Sequence, residues 1–159
     1  MDRPGAHTEG LKLLAGRELS VQGVRVRLLD RGYAPDDVEA AIARLLESGA
    51  LDDGRVARAY ARTAVNVKGR GRLRVLRELH EMGIHREVAA AALGEIYADV
   101  DERALIMHAL QKKLRGRTRL TDANEYARLY QYLMRQGFSP DGVSSALRRY
   151  RTRTPADQE

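Results

Sequence analysis

Three stretches of the chain repeat one phrase, and this repeat decides the fold. Residues 24–42 read VRVRLLDRGYAPDDVEAAI, residues 75–93 read VLRELHEMGIHREVAAAAL, and residues 129–147 read LYQYLMRQGFSPDGVSSAL. Gly32, Gly83 and Gly137 align, and each has a leucine four positions before it and an apolar residue directly after it. Helices commonly end at such a glycine, and the next apolar residue packs back on the last turn. Each copy therefore predicts a helix, a tight turn and a second helix.

The spacing of the copies indicates a repeated structural unit. The aligned glycines stand 51 and then 54 residues apart, and a further helical pattern precedes each copy. We interpret this as three tandem copies of one three-helix unit in an all-α fold, because no stretch alternates long enough to make a strand. The predicted boundaries are a disordered N-terminus at 1–7, repeats at 8–50, 51–98 and 99–151, and a disordered tail at 152–159.

Helix starts are marked by capping residues. Ser20 and Ser139 each precede a helical pattern, and Pro140 suits the first helical position after Ser139. Thr121 with Asn124, or Asp122 with Glu125, could cap a further helix, and the second pair is the one interpreted as a capping box. These signals mark the start of the second helix in the first and third units and of the third helix in the third unit.

Basic residues are concentrated in the stretch that runs from residue 51 to residue 84. Between Gly54 and Arg77 there is no acidic residue. The basic residues there are Arg55, Arg58, Arg62, Lys68, Arg70, Arg72, Arg74 and Arg77. A second acid-free patch, KKLRGRTR at residues 112–119, contains Lys112, Lys113, Arg115, Arg117 and Arg119. Like charges at helical spacing destabilise an isolated helix, so their presence hints at a polyanionic partner. The alternative is a solvated face on a basic protein.

The first basic stretch predicts two amphipathic helices. Arg55, Arg58 and Arg62 share one face of the first helix, and Val56, Tyr60, Ala64 and Val67 take the opposite, core-facing side. In the next helix Arg70, Arg74 and Arg77 are expected to repeat the basic stripe, while Leu73, Leu76 and Leu79 form the buried side.

Composition indicates a folded, basic protein. The chain has 159 residues, of which 43% are hydrophobic, and 28 basic against 22 acidic residues give a net charge of +6. This charge is consistent with nucleic acid or an acidic protein surface as partner. There is no cysteine, no apolar run of membrane-spanning length and no apolar signal core, so we expect a cytoplasmic protein without a membrane partner.

The sequence offers no catalytic, metal or cofactor site. Its four histidines lack the helical spacing of a zinc site, and its adjacent aspartates stand where helix starts favour negative charge. No nucleophile elbow or phosphate-binding loop is present. Tyr126, Tyr130 and Tyr132 could stack on bases, although Tyr126 and Tyr130, at i and i+4, are better explained as residues of the core or its edge. We expect no enzyme activity.

Taken together, these residues resemble the RecX family, the regulators of the recombinase RecA. The resemblance covers residues 11–150 and rests on Leu51-Asp52-Asp53 before a helix with Arg55, Ala57 and Tyr60, on Lys68-Gly69 before Arg72-Leu73, on Glu78-Leu79 with Gly83-Ile84, and on the threefold repeat. The chain departs from the family at Gly23, Val56 and Met82, where the family usually has Glu, Phe and Lys.

The resemblance implies a fold and a function. It implies helix-turn-helix-like units in an elongated, curved array, and a monomer that binds RecA filaments on DNA, lodges in their groove, and inhibits ATP hydrolysis and strand exchange. The two basic patches would then contact RecA or the DNA, most simply single-stranded DNA within the filament. Two alternatives stay open from the residues alone. One is a helix-turn-helix DNA-binding protein that needs no RecA, and the other is a helical-repeat scaffold for a different acidic partner.

Overall fold

The computed structural model describes residues 2–150 of the chain. In this range it contains nine α-helices and no strand, which confirms the all-α prediction. The helices are α1 (Ala6–Gly16), α2 (Val21–Asp30), α3 (Pro35–Glu47), α4 (Asp53–Asn66), α5 (Arg72–Glu81), α6 (Arg86–Ile96), α7 (Glu102–Leu114), α8 (Ala123–Arg135) and α9 (Pro140–Arg148). The tail expected at 152–159 lies outside the described residues, and α1 begins inside the segment that was expected to be disordered.

The chain divides into two compact units. The first runs to Arg62 and also includes Leu76–Ile96, and the second comprises Thr63–Val75 and continues from Tyr97. In the first unit α1, α2 and α3 enclose an apolar core that includes Val24, Leu28 and Leu45. In the second unit α7, α8 and α9 enclose a core around Ile106, Leu133 and Phe138. Apolar side chains of three helices therefore form each of these two cores.

The repeated glycines end their helices as the sequence predicts. Gly32, Gly83 and Gly137 have backbone φ angles of 79°, 78° and 93°, in the left-handed region that favours glycine. The amide of the residue after each glycine donates to the carbonyl of the leucine that stands four positions before that glycine. The distances are 3.2 Å for Tyr33 to Leu28, 3.1 Å for Ile84 to Leu79, and 3.4 Å for Phe138 to Leu133. This is the hydrogen-bond pattern of a Schellman turn, and it recurs in all three copies.

Side-chain caps begin several of these helices, including α2, α8 and α9. The hydroxyl oxygen of Ser20 accepts from the Gly23 amide over 3.0 Å, and that of Ser139 accepts from the Gly142 amide over 3.1 Å. The carboxylate of Asp122 accepts from the Glu125 amide over 2.8 Å. The caps predicted at these positions are confirmed, so the helix starts are fixed locally.

One joint between a helix start and a glycine turn occurs in both units. In the first unit the Ser20 hydroxyl, at the start of α2, donates to the Met82 carbonyl over 2.8 Å, directly before Gly83. In the second unit the Gly71 amide, at the start of α5, donates to the Gln136 carbonyl over 2.8 Å, directly before Gly137. The repeat in sequence is therefore matched by a repeated contact, in which a helix start packs on a later turn.

The N-terminal segment packs on the turn at Gly32. The Arg3 guanidinium donates to the carbonyl of Arg31, the residue directly before Gly32. The same guanidinium lies 3.8 Å from the centre of the Tyr33 ring, and the Tyr33 hydroxyl donates to the Pro4 carbonyl over 2.7 Å. Arg3 thereby holds the N-terminal segment against the turn at Gly32.

Candidate functional site

The first basic group lies on α4 and the C-terminal part of α5, in the first unit. Arg62 and Arg77 are exposed, and Arg58 is half-buried. Arg55 is engaged within the protein, because its guanidinium donates to the carbonyls of Gly49 and Ala50 over 3.0 Å and 3.1 Å. It also pairs with Glu18, an exposed contact at 3.1 Å. Arg58, Arg62 and Arg77 are thus better placed than Arg55 to meet a partner.

The second basic group belongs to the other unit. Lys68 and Arg72 are exposed, whereas Arg70 and Arg74 are half-buried. The Arg74 guanidinium donates to the Gln136 side-chain oxygen over 3.4 Å, and the Arg70 carbonyl accepts from the Tyr97 hydroxyl over 2.8 Å. Lys68 and Arg72 therefore present their charge most openly in this segment.

The predicted helix phase around this segment is wrong in three places. Helix α5 begins at Arg72, so Arg70 precedes the helix instead of opening its stripe. Leu73 is 51% exposed and Val67 is 76% exposed, although both were expected to face the core. The start of α5 is set by long-range bonds, because the Gly71 and Leu73 amides donate to the carbonyls of Gln136 and Gly137. The buried face of α5 therefore begins at Val75.

The patch at 112–119 lines an open groove on the second unit, hereafter the α7–α8 groove. One part has a volume of about 710 Å³ and is lined by Lys112, Lys113, Leu114, Arg115, Arg117 and Tyr132. An adjoining part of about 580 Å³ shares Lys113 and Tyr132 and adds Arg128 and Arg135 from α8. Arg119 is exposed on the same connector. The groove thus collects six of the chain's cations around one tyrosine ring.

The α7–α8 connector is held in an irregular shape by local contacts. Arg115 and Gly116 both have left-handed backbones, with φ angles of 49° and 84°. The Arg117 amide donates to the Leu114 carbonyl over 3.0 Å, which folds the connector back on the end of α7. Across the groove, the Lys113 ammonium lies 4.3 Å from the centre of the Tyr132 ring. This is the geometry of a cation–π contact.

Glu125 ties the connector to α8. Its buried carboxylate pairs with the Arg117 guanidinium and accepts from the Thr121 amide over 2.6 Å and the Thr121 hydroxyl over 2.7 Å. The Arg117 contact, followed by the two Thr121 bonds, lowers the pKa of Glu125 from its ordinary value of 4.5 to about 2. The capping-box spacing correctly placed Glu125 near the helix start, but its side chain bonds Thr121 instead of Asp122.

Glu125 makes the second unit sensitive to acid. Because folding lowers the pKa of this carboxyl, its contribution to stability is present above about pH 4.5 and is lost as the pH falls through about 2. We expect Glu125→Gln to lower the melting temperature at neutral pH, with the difference from wild type shrinking toward zero near pH 2. Thermal melts of both proteins across this range measure the difference in melting temperature. The other carboxyl groups are present in both proteins, so their contributions cancel in that difference. A difference that stays constant with pH contradicts the assignment.

Sequence reasoning found the connector cations but missed the residues that α8 contributes. Arg128 and Arg135 are both exposed and flank Tyr132 along the helix. Arg128, Tyr132 and Arg135 stand at i, i+4 and i+7, so they share one helical face. This spacing is the sequence pattern that could have identified them. Tyr126 and Tyr130 pack against the apolar core as predicted. Tyr132 also packs against this core, but it is the one of the three that lines the groove.

The described residues contain no group of three or more His, Asp or Glu side chains that could hold a metal ion. No helix within residues 2–150 is both long and apolar enough to cross a membrane.

Comparison with known proteins gives one consistent result. Three domain models of a single family match the chain in order: "RecX, first three-helix domain" at residues 6–45, "RecX, second three-helix domain" at 52–93 and "RecX, third three-helix domain" at 101–147. The chain is 34% identical over 145 residues to a protein of Pelodictyon phaeoclathratiforme named "Regulatory protein RecX", covering 91% of this chain and 88% of that protein. A protein of the same name from Vibrio parahaemolyticus is 34% identical over 137 residues, 86% of each chain.

Solved structures agree on the fold. The crystal structure of RecX from Lactobacillus salivarius superposes with a TM-score of 0.78 at 20% identity, covering 90% of this chain and 92% of that one. A second crystal structure, of a regulatory protein RecX, superposes with a TM-score of 0.76 over 89% of this chain and 69% of that one. At this identity the likeness concerns the three-helix domains and their order along the chain.

Proposed function

The chain belongs to the RecX family of regulatory proteins, and from that membership we propose that it regulates the recombinase RecA. In this proposal it binds the RecA filament on single-stranded DNA as a monomer in the cytoplasm. Bound there, it slows ATP hydrolysis and strand exchange, and so acts in recombination and DNA repair without being an enzyme. The observation that carries the proposal is that all three family domains match in order along residues 6–147.

The segment from Val67 to Leu73, which includes the first residues of α5, supports a protein as one of the partners. Val67 and Leu73 have exposed apolar side chains, and every charged residue between them is basic. Contacts to DNA phosphates need only cations, whereas a protein interface commonly has an apolar centre with a charged rim. We therefore assign Val67 and Leu73, with Lys68 and Arg72 beside them, to an acidic surface of the recombinase.

The helical stripe on α4 supports contact with a polyanion. Arg58 and Arg62 lie one turn apart on α4, where Arg62 is exposed and Arg58 is half-buried. A contact between an arginine and a phosphate releases counterions, so affinity for a strand falls with salt in proportion to the number of contacts.

Replacing both arginines gives a direct test of this stripe. We expect Arg58→Ala with Arg62→Ala to weaken binding to RecA-coated single-stranded DNA and, if phosphates are the target, to lower the salt slope by about 1.4, at roughly 0.7 per contact. Lys12→Ala with Arg17→Ala removes two exposed cations from the end of α1 and its flank, and serves as the matched control. Binding measured across salt decides the matter: equal affinity for both double variants would make the stripe a solvated face.

A further inference from the structure

We propose that the α7–α8 groove is a binding site for single-stranded nucleic acid, in which an unpaired base stacks on Tyr132 and the surrounding cations hold the phosphates. The identity of the strand rests on the proposed function, which makes it the DNA that the recombinase coats. The site itself is complete within the second unit, so it should bind a strand without the recombinase.

The charges of the groove fit a phosphate backbone. Lys112 and Arg115 are exposed on one side of Tyr132, and Arg128 and Arg135 are exposed on the helix that carries it. Among the described residues, the one carboxylate that lines the groove belongs to Glu125, and its negative charge is compensated by the Arg117 guanidinium and by hydrogen bonds from Thr121. The net charge of the lining is therefore strongly positive, which attracts a polyanion and raises its rate of association.

The aromatic ring distinguishes a nucleic acid from an acidic protein as the occupant. Sites for single strands combine cations that follow the backbone with aromatic side chains on which bases stack. Protein interfaces instead have an apolar centre, and every large apolar side chain that is exposed among residues 2–150 lies outside α7, α8 and their connector. The groove offers Tyr132, with Leu114 and Leu129 in its walls already buried.

A base that binds in the groove can replace the Lys113 ammonium on the face of the Tyr132 ring. This ammonium lies over the Tyr132 ring at 4.3 Å and so covers the face on which a base would stack. Stacking of a base is worth more than an exposed cation–π contact, so a base can displace the ammonium. The displaced ammonium stays on the flexible Lys113 side chain, within reach of the adjoining phosphate. The ring and the cation are then both used in the bound state.

A single strand suits this arrangement better than a duplex. Bases in a duplex are stacked on each other, and their faces cannot reach a side chain without unstacking. The groove is open, and Tyr132 is half-buried in its floor. The ring is therefore accessible to a base that projects from a flexible strand.

The test is binding of a labelled oligodeoxyadenylate by the full chain without the recombinase, compared with an oligomer of equal length that carries abasic sites. We expect wild type to prefer the strand with bases. We expect Tyr132→Leu to bind it about 5- to 150-fold more weakly, the range for loss of one stacked base, and to lose the preference. Tyr132→Phe keeps the ring and should bind as wild type does.

The charge contribution is tested separately. Lys112→Gln with Lys113→Gln should weaken binding of both oligomers and lower the salt slope by about 1.4, at roughly 0.7 per contact. Arg103→Gln with Arg148→Gln removes two exposed cations of the same unit outside the groove and should change neither value. Circular dichroism melts of each variant identify any loss of folding, and the lysine pair keeps the test valid if Tyr132→Leu unfolds.

Three results would overturn the inference. One is equal affinity of wild type for the two oligomers, and another is wild-type binding by both Tyr132→Leu and the lysine pair. The third is tighter binding to a poly-glutamate peptide of equal charge, which would make the groove a site for acidic protein. None of these measurements uses the recombinase, so they fail or succeed independently of the proposed effect on ATP hydrolysis.

Discussion

Gly137→Ala is expected to lower the free energy of unfolding by about 3–5 kcal/mol, the largest effect that we predict for a single methyl group. Gly137 has a φ angle of 93°, and a Cβ atom there would lie 2.3 Å from the Arg74 amide nitrogen and 2.8 Å from the Gly71 carbonyl oxygen. The methyl group would thus meet backbone that cannot rotate away. It would also separate the Leu73 amide from the Gly137 carbonyl, which are hydrogen-bonded over 3.1 Å.

Gly116→Ala is the matched control for this effect. Gly116 belongs to the same unit and has a φ angle of 84°, but nothing lies within 4 Å of the place where its Cβ atom would stand. Only the cost of the left-handed backbone applies there, about 1–2 kcal/mol. Denaturant melts of both variants separate backbone strain from crowding at the joint. Similar losses for the two variants would mean that α5 does not pack closely on the turn at Gly137.

Leu79→Ala is expected to lower the free energy of unfolding by about 2–5 kcal/mol, as other truncations of fully buried leucines do. Leu79 is completely buried, and its carbonyl accepts the amide of Ile84 in the turn that ends α5. Loss of the side chain leaves a cavity beside a turn whose backbone bonds hold the surrounding atoms in place. The cavity therefore cannot close fully.

Leu73 offers the comparison on the same helix. Leu73 is 51% exposed, so Leu73→Ala should change the free energy of unfolding by no more than about 0.5 kcal/mol. Urea titrations of both variants measure the contrast. A loss at Leu79 of less than about 1 kcal/mol, or equal losses at both positions, would show that the phase of α5 differs from the one described.

The repeat in sequence predicted much of the fold because its signals are local. The glycine turns and the Ser20, Ser139 and Asp122 caps depend on residues within one turn of each other, and all are present. The exposure of Leu73 could not be predicted in this way. It follows from the bond between the Gly71 amide and the Gln136 carbonyl, a contact between residues that are far apart in sequence.

The candidate sites illustrate the same limit. The cations at 112–119 were visible as a patch, but their grouping around Tyr132 depends on how the connector folds back onto α8. The spacing of Arg55 assigned it to the basic stripe, yet its guanidinium donates to the Gly49 and Ala50 carbonyls in the turn after α3. Periodicity assigns a residue to a face of its own helix, but it does not show which other part of the chain that side chain contacts.

The two surfaces make different contributions to the proposed regulation. In this proposal Val67 and Leu73 are the apolar contact for the recombinase, and the cations and the ring of the α7–α8 groove are the contact for its DNA strand. Leu73→Ser should therefore weaken binding to the coated filament without changing binding to bare strand. Tyr132→Leu should weaken both.

The rate of ATP hydrolysis by RecA on single-stranded DNA, measured with this protein added, tests the central claim most directly. We predict that the rate falls when the protein is equimolar with RecA or present in smaller amounts, and that the loss of rate depends on the Arg58 and Arg62 stripe. The Lys12 and Arg17 double variant should inhibit as wild type does. An unchanged rate of hydrolysis, together with tight binding to one duplex sequence without RecA, would contradict the account and indicate a helix-turn-helix DNA-binding protein instead.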